Sequence, residues 1–366
     1  MKKIVVELGE RSYPIVIGSG LFSSLLSGSS LQSGEVVMLV TDDNIASIYL
    51  DFVCKSLSDF GVSVDQLVIS SGESYKSLSM FEYIITELLK KRHNRNVILI
   101  AFGGGVIGDL VGFTAATYQR GVRFIQVPTT LLAQVDASIG GKTGVNHALA
   151  KNMIGVIYQP ISVIINLDFL YTLPSREFSS GLAEVIKYGI AFDSDFFAWL
   201  ECNIENILNL EVSSLFYCVR RCCELKSFVI TNDEHDQGSG VRALLNLGHT
   251  YAHAIESYFK YSQEWLHGES VSVGILMAAN LSCMLGYLCD VDLKRIRSLL
   301  SRAGLPISPP KTMEIGDYLS YMIRDKKNIS DDLCLILPVS IGHARVCTNI
   351  AHRLVKESIR GILGDM

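Results

Sequence analysis

Apolar positions along the chain follow two rhythms. Near-continuous runs rich in Val, Ile and Leu occur at VVMLVTD (36–42), DQLVIS (65–70), VILIAFGGG (97–105), RFIQVPTT (123–130) and SVIINL (162–167). Such runs predict strands buried on both faces. Between the first of them lie two helical patterns, NIASIYLDFVCKSLSDF (44–60) and SLSMFEYIITELLKKR (77–92). The second puts Met80, Phe81, Ile84, Ile85, Leu88 and Leu89 on one stripe at i, i+3, i+4 spacing. Strand–helix alternation of this kind predicts a parallel sheet covered on both faces. KIVVEL (3–8) and YPIVIG (13–18) are expected to add a short antiparallel edge. After Pro174 the rhythm becomes helical, around 176–190, 194–209, 212–231, 248–260, 268–288 and 291–303, with no strand-like run until LCLILP (333–338). The predicted fold class is α/β plus all-α: a Rossmann-like parallel-sheet domain over 1–175 and a helical domain over 176–366.

Composition narrows this picture. Of 366 residues, 49% are hydrophobic and 19% charged. The charged share is below the usual ~25%, so much buried surface and a subunit interface are expected. A net charge of −5 argues against a general nucleic-acid binder. Any anionic substrate must then be met by locally concentrated cations. Nine cysteines without a Cys-x-x-Cys predict no disulfide framework and a reducing, cytoplasmic setting. The opening MKKIVVELGE has an apolar run of three residues, too short for a signal-peptide core. Residues 270–289 carry no formal charge and are long enough to span a bilayer, which takes ~20 apolar residues. Ser270, Ser272, Asn280 and Ser282 interrupt the run, and His267 and Glu269 abut it, so it reads as a buried core helix with no membrane role.

Four stretches carry candidate chemistry. Gly103-Gly104-Gly105-Val106-Ile107-Gly108-Asp109 follows a strand, opens a helix and fits G-x-G-x-x-G spacing. That context favours a phosphate site over a plain Gly-rich turn. It departs from the usual dinucleotide fingerprint, because it follows a later strand and no acidic residue ends the next one; Asp42 in VTDDN (40–44) is the alternative ribose contact. SSGESYKS (70–77) reads alone as a capped loop, although Glu73 and Lys76 could hold a ribose and phosphates. In 127–155, Thr129, Thr130, Asp136, Lys142, Asn146, Lys151 and Asn152 crowd around four glycines. Hydroxyls, amides and lysines on a permissive backbone suit an anionic, polyhydroxylated ligand. Leu131, Leu132, Val135 and Ile139 predict a partly buried helix there rather than a solvated loop. Finally, Glu184, His249, His253 and His267 offer a carboxylate with imidazoles, the donor set of a catalytic zinc with an open position. His147, His235 and His343 read as ordinary histidines, and HExxH is absent. Lys187, Lys226, Arg242 and Arg324-Asp325-Lys326-Lys327 are each a solvated charge by default.

Together these stretches resemble the 3-dehydroquinate synthase family of sugar phosphate cyclases. The matching blocks are GGGVIGDLVGFTAATYQRGV (103–122), VPTTLLAQVDASIGGKTGVN (127–146), KNMIG (151–155), Gln159-Pro160, GLAEVIKYG (181–189), RALLNLGHTYAHAIE (242–256) and HGESVSVG (267–274), with a weaker DKK at 325–327. They run in the family's order over most of the chain. Leu247, Ala252 and Tyr158 stand where the family commonly has Phe, Gly and Phe; none of these departures removes a charged or metal-binding group.

The resemblance implies a homodimer with an N-terminal NAD-binding domain and a C-terminal metal domain. It also implies a phosphate-eliminating lyase. Its substrate is 3-deoxy-D-arabino-heptulosonate 7-phosphate (DAHP), converted to 3-dehydroquinate by transient NAD-dependent oxidation, elimination, reduction, ring opening and aldol closure. By the same resemblance Glu184, His249 and His267 hold Zn²⁺ or Co²⁺. Lys142, Lys187, Lys226, Arg242 and His253 are the catalytic candidates. Asp136, Asn152 and Asn246 join them at the substrate, with Arg120 reaching the neighbouring subunit's substrate phosphate. The NAD positions are Asp42, Ser71, Gly72, Glu73, Lys76, Gly104, Gly105, Val106, Ile107, Gly108, Asp109, Thr129, Thr130, Lys142, Lys151, Phe169 and Thr172. Rival readings are a cyclase of the 2-deoxy-scyllo-inosose synthase type, a metal-dependent polyol dehydrogenase that would release NADH, and a non-catalytic nucleotide-binding regulator. The last has no use for the full set of metal ligands and lysines.

Overall fold

Seven strands build one sheet in the order β1-β2-β9-β6-β5-β3-β4. They are β1 (Lys2–Val6), β2 (Tyr13–Gly18), β3 (Val36–Asp42), β4 (Ser63–Ile69), β5 (Ile98–Gly103), β6 (Phe124–Pro128) and β9 (Ser162–Asn166). Only β1 runs antiparallel, paired to β2 in the register Ile4↔Ile15; every other pairing is parallel. The computed structural model describes residues 1–20, 22–148, 150–236, 240–323 and 333–363. The Arg324–Lys327 run, with the weak DKK match, lies outside them.

The sheet strands are the apolar runs of the sequence, and both faces are covered. On one face, Val37, Leu39, Ile98, Ile100 and Ile125 pack with Leu25 of α1 (Phe22–Gly28) and Val53 and Leu57 of α2 (Asp43–Asp59). On the other, Met38, Val40, Leu99 and Phe124 meet Ile84 and Leu88 of α3 (Leu78–Lys90) and Leu110 and Val111 of α4 (Gly105–Thr117).

The stretch 127–155 differs from its expected form. The expected buried helix is present but short, running over 131–137 and π-helical at Ala133–Ala137, with Leu131, Val135 and Ile139 buried. A hairpin follows, β7 (Lys142–His147) against β8 (Ala150–Ile157). Its glycines made it look like a loop. Instead they allow close strand contact: a Cβ on Gly144 would lie 2.5 Å from the Ile154 carbonyl oxygen, and one on Gly155 2.2 Å from that of Thr143.

The chain divides into two compact units, residues 1–173 with 215–231, and 174–214 with 232–366. The sequence boundary gave 176–366 wholly to the second, yet 215–231 packs with the first. This segment belongs to α7 (Val212–Asn232). Its Ser227 hydroxyl donates to the Val5 carbonyl at 3.2 Å, and Lys226 pairs with Asp136 at 2.6 Å. Helical spacing fixes that a helix exists, but not which unit buries it.

The second unit consists of α5 (Ser175–Phe192), α6 (Ser194–Leu208), α8 (His249–Tyr258), α9 (His267–Met284), α10 (Asp290–Arg302), α11 (Ile315–Ile323), α12 (His352–Leu363) and a hairpin of β10 (Leu335–Ser340) with β11 (His343–Cys347). The sequence reading lacked α11, α12 and β11, which are short and flanked by polar residues. Residues 270–282 of α9 are buried almost throughout, and no helix among the described residues is long and apolar enough to cross a membrane. All nine cysteines are free thiols.

Candidate functional site

In the first unit the predicted nucleotide residues gather at the carboxyl ends of the parallel strands. The chain passes from β3 to β4 on one side, then returns to β5 on the other side of β3. Ligands of open α/β sheets bind at such a reversal. Asp42 ends β3, and Gly103 ends β5 beside it. The Asp42 carboxylate caps α2, accepting the Ile45 N–H at 3.0 Å, and burial pushes its pKa up.

The Gly103–Gly108 loop divides its labour. A Cβ on Gly103 would strike Ile107 at 2.7 Å, and one on Gly108 would strike Gln126 of β6 at 2.8 Å. These two glycines serve the turn and the helix–sheet contact. Ile107 is itself core. Gly104 is the N-cap of α4 and supplies no capping side chain, so the first N–H groups of α4 have no side-chain cap. The Thr129 hydroxyl, next to the end of β6, is buried without a hydrogen-bond partner. An open helix N-terminus beside an orphaned hydroxyl fits a dinucleotide phosphate.

Glu73, Lys76, Asp109, Lys151 and Asn152 form one network. The Lys76 ammonium is buried and donates to Asp109 and, at 2.6 Å, to Asn152 Oδ1. Burial pushes the Asp109 pKa up, although Lys76 opposes the shift. Glu73 accepts from Asn146 Nδ2 at 2.8 Å and faces Lys151 at 3.5 Å. The β7–β8 hairpin is thereby pinned to the loop after β4. Ser71 donates its N–H to Asp43, and Gly72 has φ +117°, open to glycine. Thr130 caps the turn that follows it through the Ala133 N–H, 3.1 Å away. The Phe169 ring is core, packed against Phe22, Tyr49 and Phe102, which leaves its backbone for the expected nucleotide contact. Thr172 is exposed and bonds Tyr49 at 2.8 Å. Val106 is half-buried, Lys142 and Arg120 are exposed, and Arg120 has φ +64°.

In the second unit three helices bring one ligand each to a point. Glu184 is in α5, His249 opens α8 and His267 opens α9; one ligand atom from each lies within 4.8 Å of the others. Both imidazoles aim Nε2 at Glu184 Oε1, at 3.5 Å from His249 and 3.6 Å from His267. Their Nδ1 atoms are engaged elsewhere, His249 with the Leu247 carbonyl at 3.1 Å and His267 with Glu256 Oε1 at 3.2 Å. The Glu184 carboxylate is fully buried and forms an ion pair with Lys187. Burial disfavours a charged His267, yet Glu256 and Glu184 outweigh it and push its pKa up to about 10. A buried carboxylate and two Nε2 atoms facing one point fit a divalent cation with O and N ligands. His253 stands one turn beyond His249, rings perpendicular at 5.7 Å.

Glycines permit the close crossings. A Cβ on Gly268 of α9 would lie 1.8 Å from the Ser180 carbonyl oxygen of α5. One on Gly274 of α9 would lie 2.2 Å from the Gly248 carbonyl oxygen, just before α8. Gly248 has φ +79° and breaks the helical path between Arg242 and His249. Gly274→Ala should therefore cost about 1–3 kcal/mol, as overpacking does, or more because the obstacle is backbone. Urea unfolding should show this, together with weaker metal binding.

Arg242 is buried, 2% exposed, in the short helix Val241–Asn246. Its Nη1 donates to the Glu234 carbonyl and its backbone N–H to Asp233 at 3.3 Å. A surface ion pair is excluded for it. Asn246 is half-buried in the same helix and donates to the Ala243 carbonyl at 3.1 Å. Thus Asp136, Lys142, Asn152, Lys226 and Arg120 lie in the first unit, and Lys187, Arg242, Asn246 and His253 in the second. Sequence reasoning missed Glu256. Its signal was a carboxylate on the His249 helix, seven positions on.

A parallel sheet with an uncapped helix N-terminus at its reversal, and a helical unit with a Glu–His–His cluster, define a fold class, that of the sugar phosphate cyclases. The 2-epi-5-epi-valiolone synthase ValA of Streptomyces hygroscopicus subsp. jinggangensis 5008, solved with NAD⁺ and Zn²⁺, has this fold, with a TM-score of 0.89 at 24% identity over 98% of this chain and 99% of its own. So does 2-deoxy-scyllo-inosose synthase, solved with carbaglucose-6-phosphate, NAD⁺ and Co²⁺, at a TM-score of 0.88, 24% identity, and 98% and 100% coverage. The iron-containing alcohol dehydrogenase of Thermococcus thioreducens is more distant, with a TM-score of 0.68 at 14% identity over 97% and 99%.

Within that class the chain belongs to the 3-dehydroquinate synthase family. The family profile for the 3-dehydroquinate synthase N-terminal region matches residues 66–180, and that for the C-terminal region 181–328. A 3-dehydroquinate synthase of Blochmanniella pennsylvanica (strain BPEN) is 57% identical over 360 residues, covering 98% of this chain and 99% of that protein.

Proposed function

We propose that this protein converts DAHP to 3-dehydroquinate and phosphate, the second step of the shikimate route to aromatic amino acids, with NAD and Zn²⁺ or Co²⁺ as cofactors. The observation that carries the reading is 57% identity to a 3-dehydroquinate synthase along nearly the whole chain. The Glu184–His249–His267 cluster and the phosphate site at the sheet reversal support it, as do the NAD⁺, Zn²⁺ and Co²⁺ of the related cyclases.

When bound, NAD takes up and returns a hydride, and the metal ion binds and acidifies the substrate hydroxyl. The chain's own residues hold and orient. Glu184, His249 and His267 hold the cation, with Leu247 and Glu256 fixing the imidazoles. Gly104, Gly105 and the start of α4 receive the dinucleotide phosphates through backbone N–H groups. Arg242 grips the substrate carboxylate with two parallel hydrogen bonds, which a lysine cannot reproduce. The family resemblance assigns Lys142 and Asn152, and separately His253, to the substrate's phosphate end, and Lys226, set by Asp136, to its carboxylate or hydroxyl. Ring closure needs the reacting carbons held close, which is a positioning task. We also infer a homodimer in which Arg120 reaches the neighbouring subunit's substrate, and a cytoplasmic location. The low charged fraction supports the first, and nine free thiols the second.

Incubation with DAHP, NAD⁺ and Zn²⁺ tests the reading. One phosphate and one 3-dehydroquinate should form per DAHP consumed. No turnover of DAHP by folded, metal-loaded protein would overturn it.

A further inference from the structure

Glu256 lies near the end of α8 and is 5% exposed. Its Oε1 stands 3.2 Å from His267 Nδ1, the ring nitrogen that faces away from Glu184. Two features hold this pairing. The crossing of α9 over the start of α8 leaves no room for a side chain at Gly274 or Gly248. His267 is the first residue of α9, and Glu269 closes that helix start by accepting the Leu266 N–H at 2.8 Å. The two imidazoles differ in their second partner. His249 has a neutral carbonyl, whereas His267 has a carboxylate.

We propose that Glu256 is the positioning residue of the metal centre, holding His267 with Nδ1–H donated to its carboxylate and the Nε2 lone pair aimed at the cation. This rests on the metal-dependent reading above. A carboxylate behind a histidine ligand fixes tautomer and ring orientation and raises the basicity of the ligating nitrogen. His267 needs this more than His249, because its side chain is 27% exposed against 11% and packing restrains it less. Burying Glu256 is costly for stability alone, since a buried carboxylate must be paired; the imidazole supplies one partner.

The test is Zn²⁺ affinity by chelator competition, and the visible spectrum of the Co²⁺ form, for wild type, Glu256→Gln and Glu256→Ala. Glu256→Ala should bind Zn²⁺ about 10–100-fold more weakly. Glu256→Gln keeps an acceptor without the charge and should fall between. Both Co²⁺ spectra should differ from wild type, because His267 is no longer held. Affinity and spectrum equal to wild type in folded Glu256→Gln would overturn the proposal. So would variants that lose stability in the metal-free form while their folded fraction binds metal normally. Should Glu256→Ala not fold, Glu256→Gln decides alone. Wild-type protein that binds no stoichiometric metal would refute the metal-dependent reading itself, a distinct result.

Discussion

Glu184→Ala is expected to leave the protein without stoichiometric metal and without measurable turnover. The carboxylate is fully buried, and its partners include the Lys187 ammonium and the two imidazoles whose Nε2 atoms face it. Removing it deletes a ligand and strands the Lys187 ammonium, which is 1% exposed. Breaking one side of a buried pair costs about 3–5 kcal/mol, so stability should fall as well. His267→Ala separates the effects. It removes a ligand from a less buried position, so metal should be lost with a smaller drop in stability. Loss of several kcal/mol of metal-supplied stabilisation corresponds to a rate decrease on the order of a thousandfold. Chelation of wild type should reproduce it, and added Zn²⁺ or Co²⁺ should reverse it. Metal analysis checks the assignment: full occupancy in the alanine variants of Glu184, His249 and His267 would remove these three as ligands.

Arg242→Lys is the second large effect. A single charge-assisted contact is worth about 1.5–3 kcal/mol, or roughly ten- to a hundredfold in kcat/KM for DAHP. An exposed ion pair would give only ~0–1 kcal/mol, but Arg242 is 2% exposed. Its bond to the Glu234 carbonyl means that the substitution also disturbs the segment before α8. Kinetics should therefore be compared at equal folded fraction and metal content. NAD⁺ affinity should barely change, because the nucleotide residues lie in the other unit. A near wild-type kcat/KM would take Arg242 out of the site.

How much of this was legible in the sequence depends on the kind of signal. The central parallel strands stood out because both of their faces are buried, so most positions are apolar; the edge strand β4 is only partly buried. The candidate metal ligands stood out because Glu, His and His are a chemically specific donor set. The β7–β8 hairpin was hidden. Lys142, Asn146 and His147 break its apolar alternation, and Gly144 and Gly155 look like loop residues although they allow close strand contact. Phe169 was carried over as a nucleotide position, but its ring is core. Only its local chain path could serve the cofactor, and a residue letter does not distinguish ring from backbone. Lys76 read as a residue of a capped loop that could hold a nucleotide; its pairing with Asp109, remote in sequence, was not visible. Glu256 was passed over although it follows His249 on the same helix, since its partner His267 is eleven residues away on another helix.

The central claim is that NAD acts as a catalyst within a cyclisation rather than as a consumed oxidant. The direct measurement follows nicotinamide absorbance and phosphate release together, with DAHP, NAD⁺ and Zn²⁺ present. The expected result is steady phosphate accumulation, absolute dependence on NAD⁺ and a nearly flat NADH signal, with 3-dehydroquinate as product. NADH rising in step with substrate loss, without phosphate, would contradict the account and favour a polyol dehydrogenase.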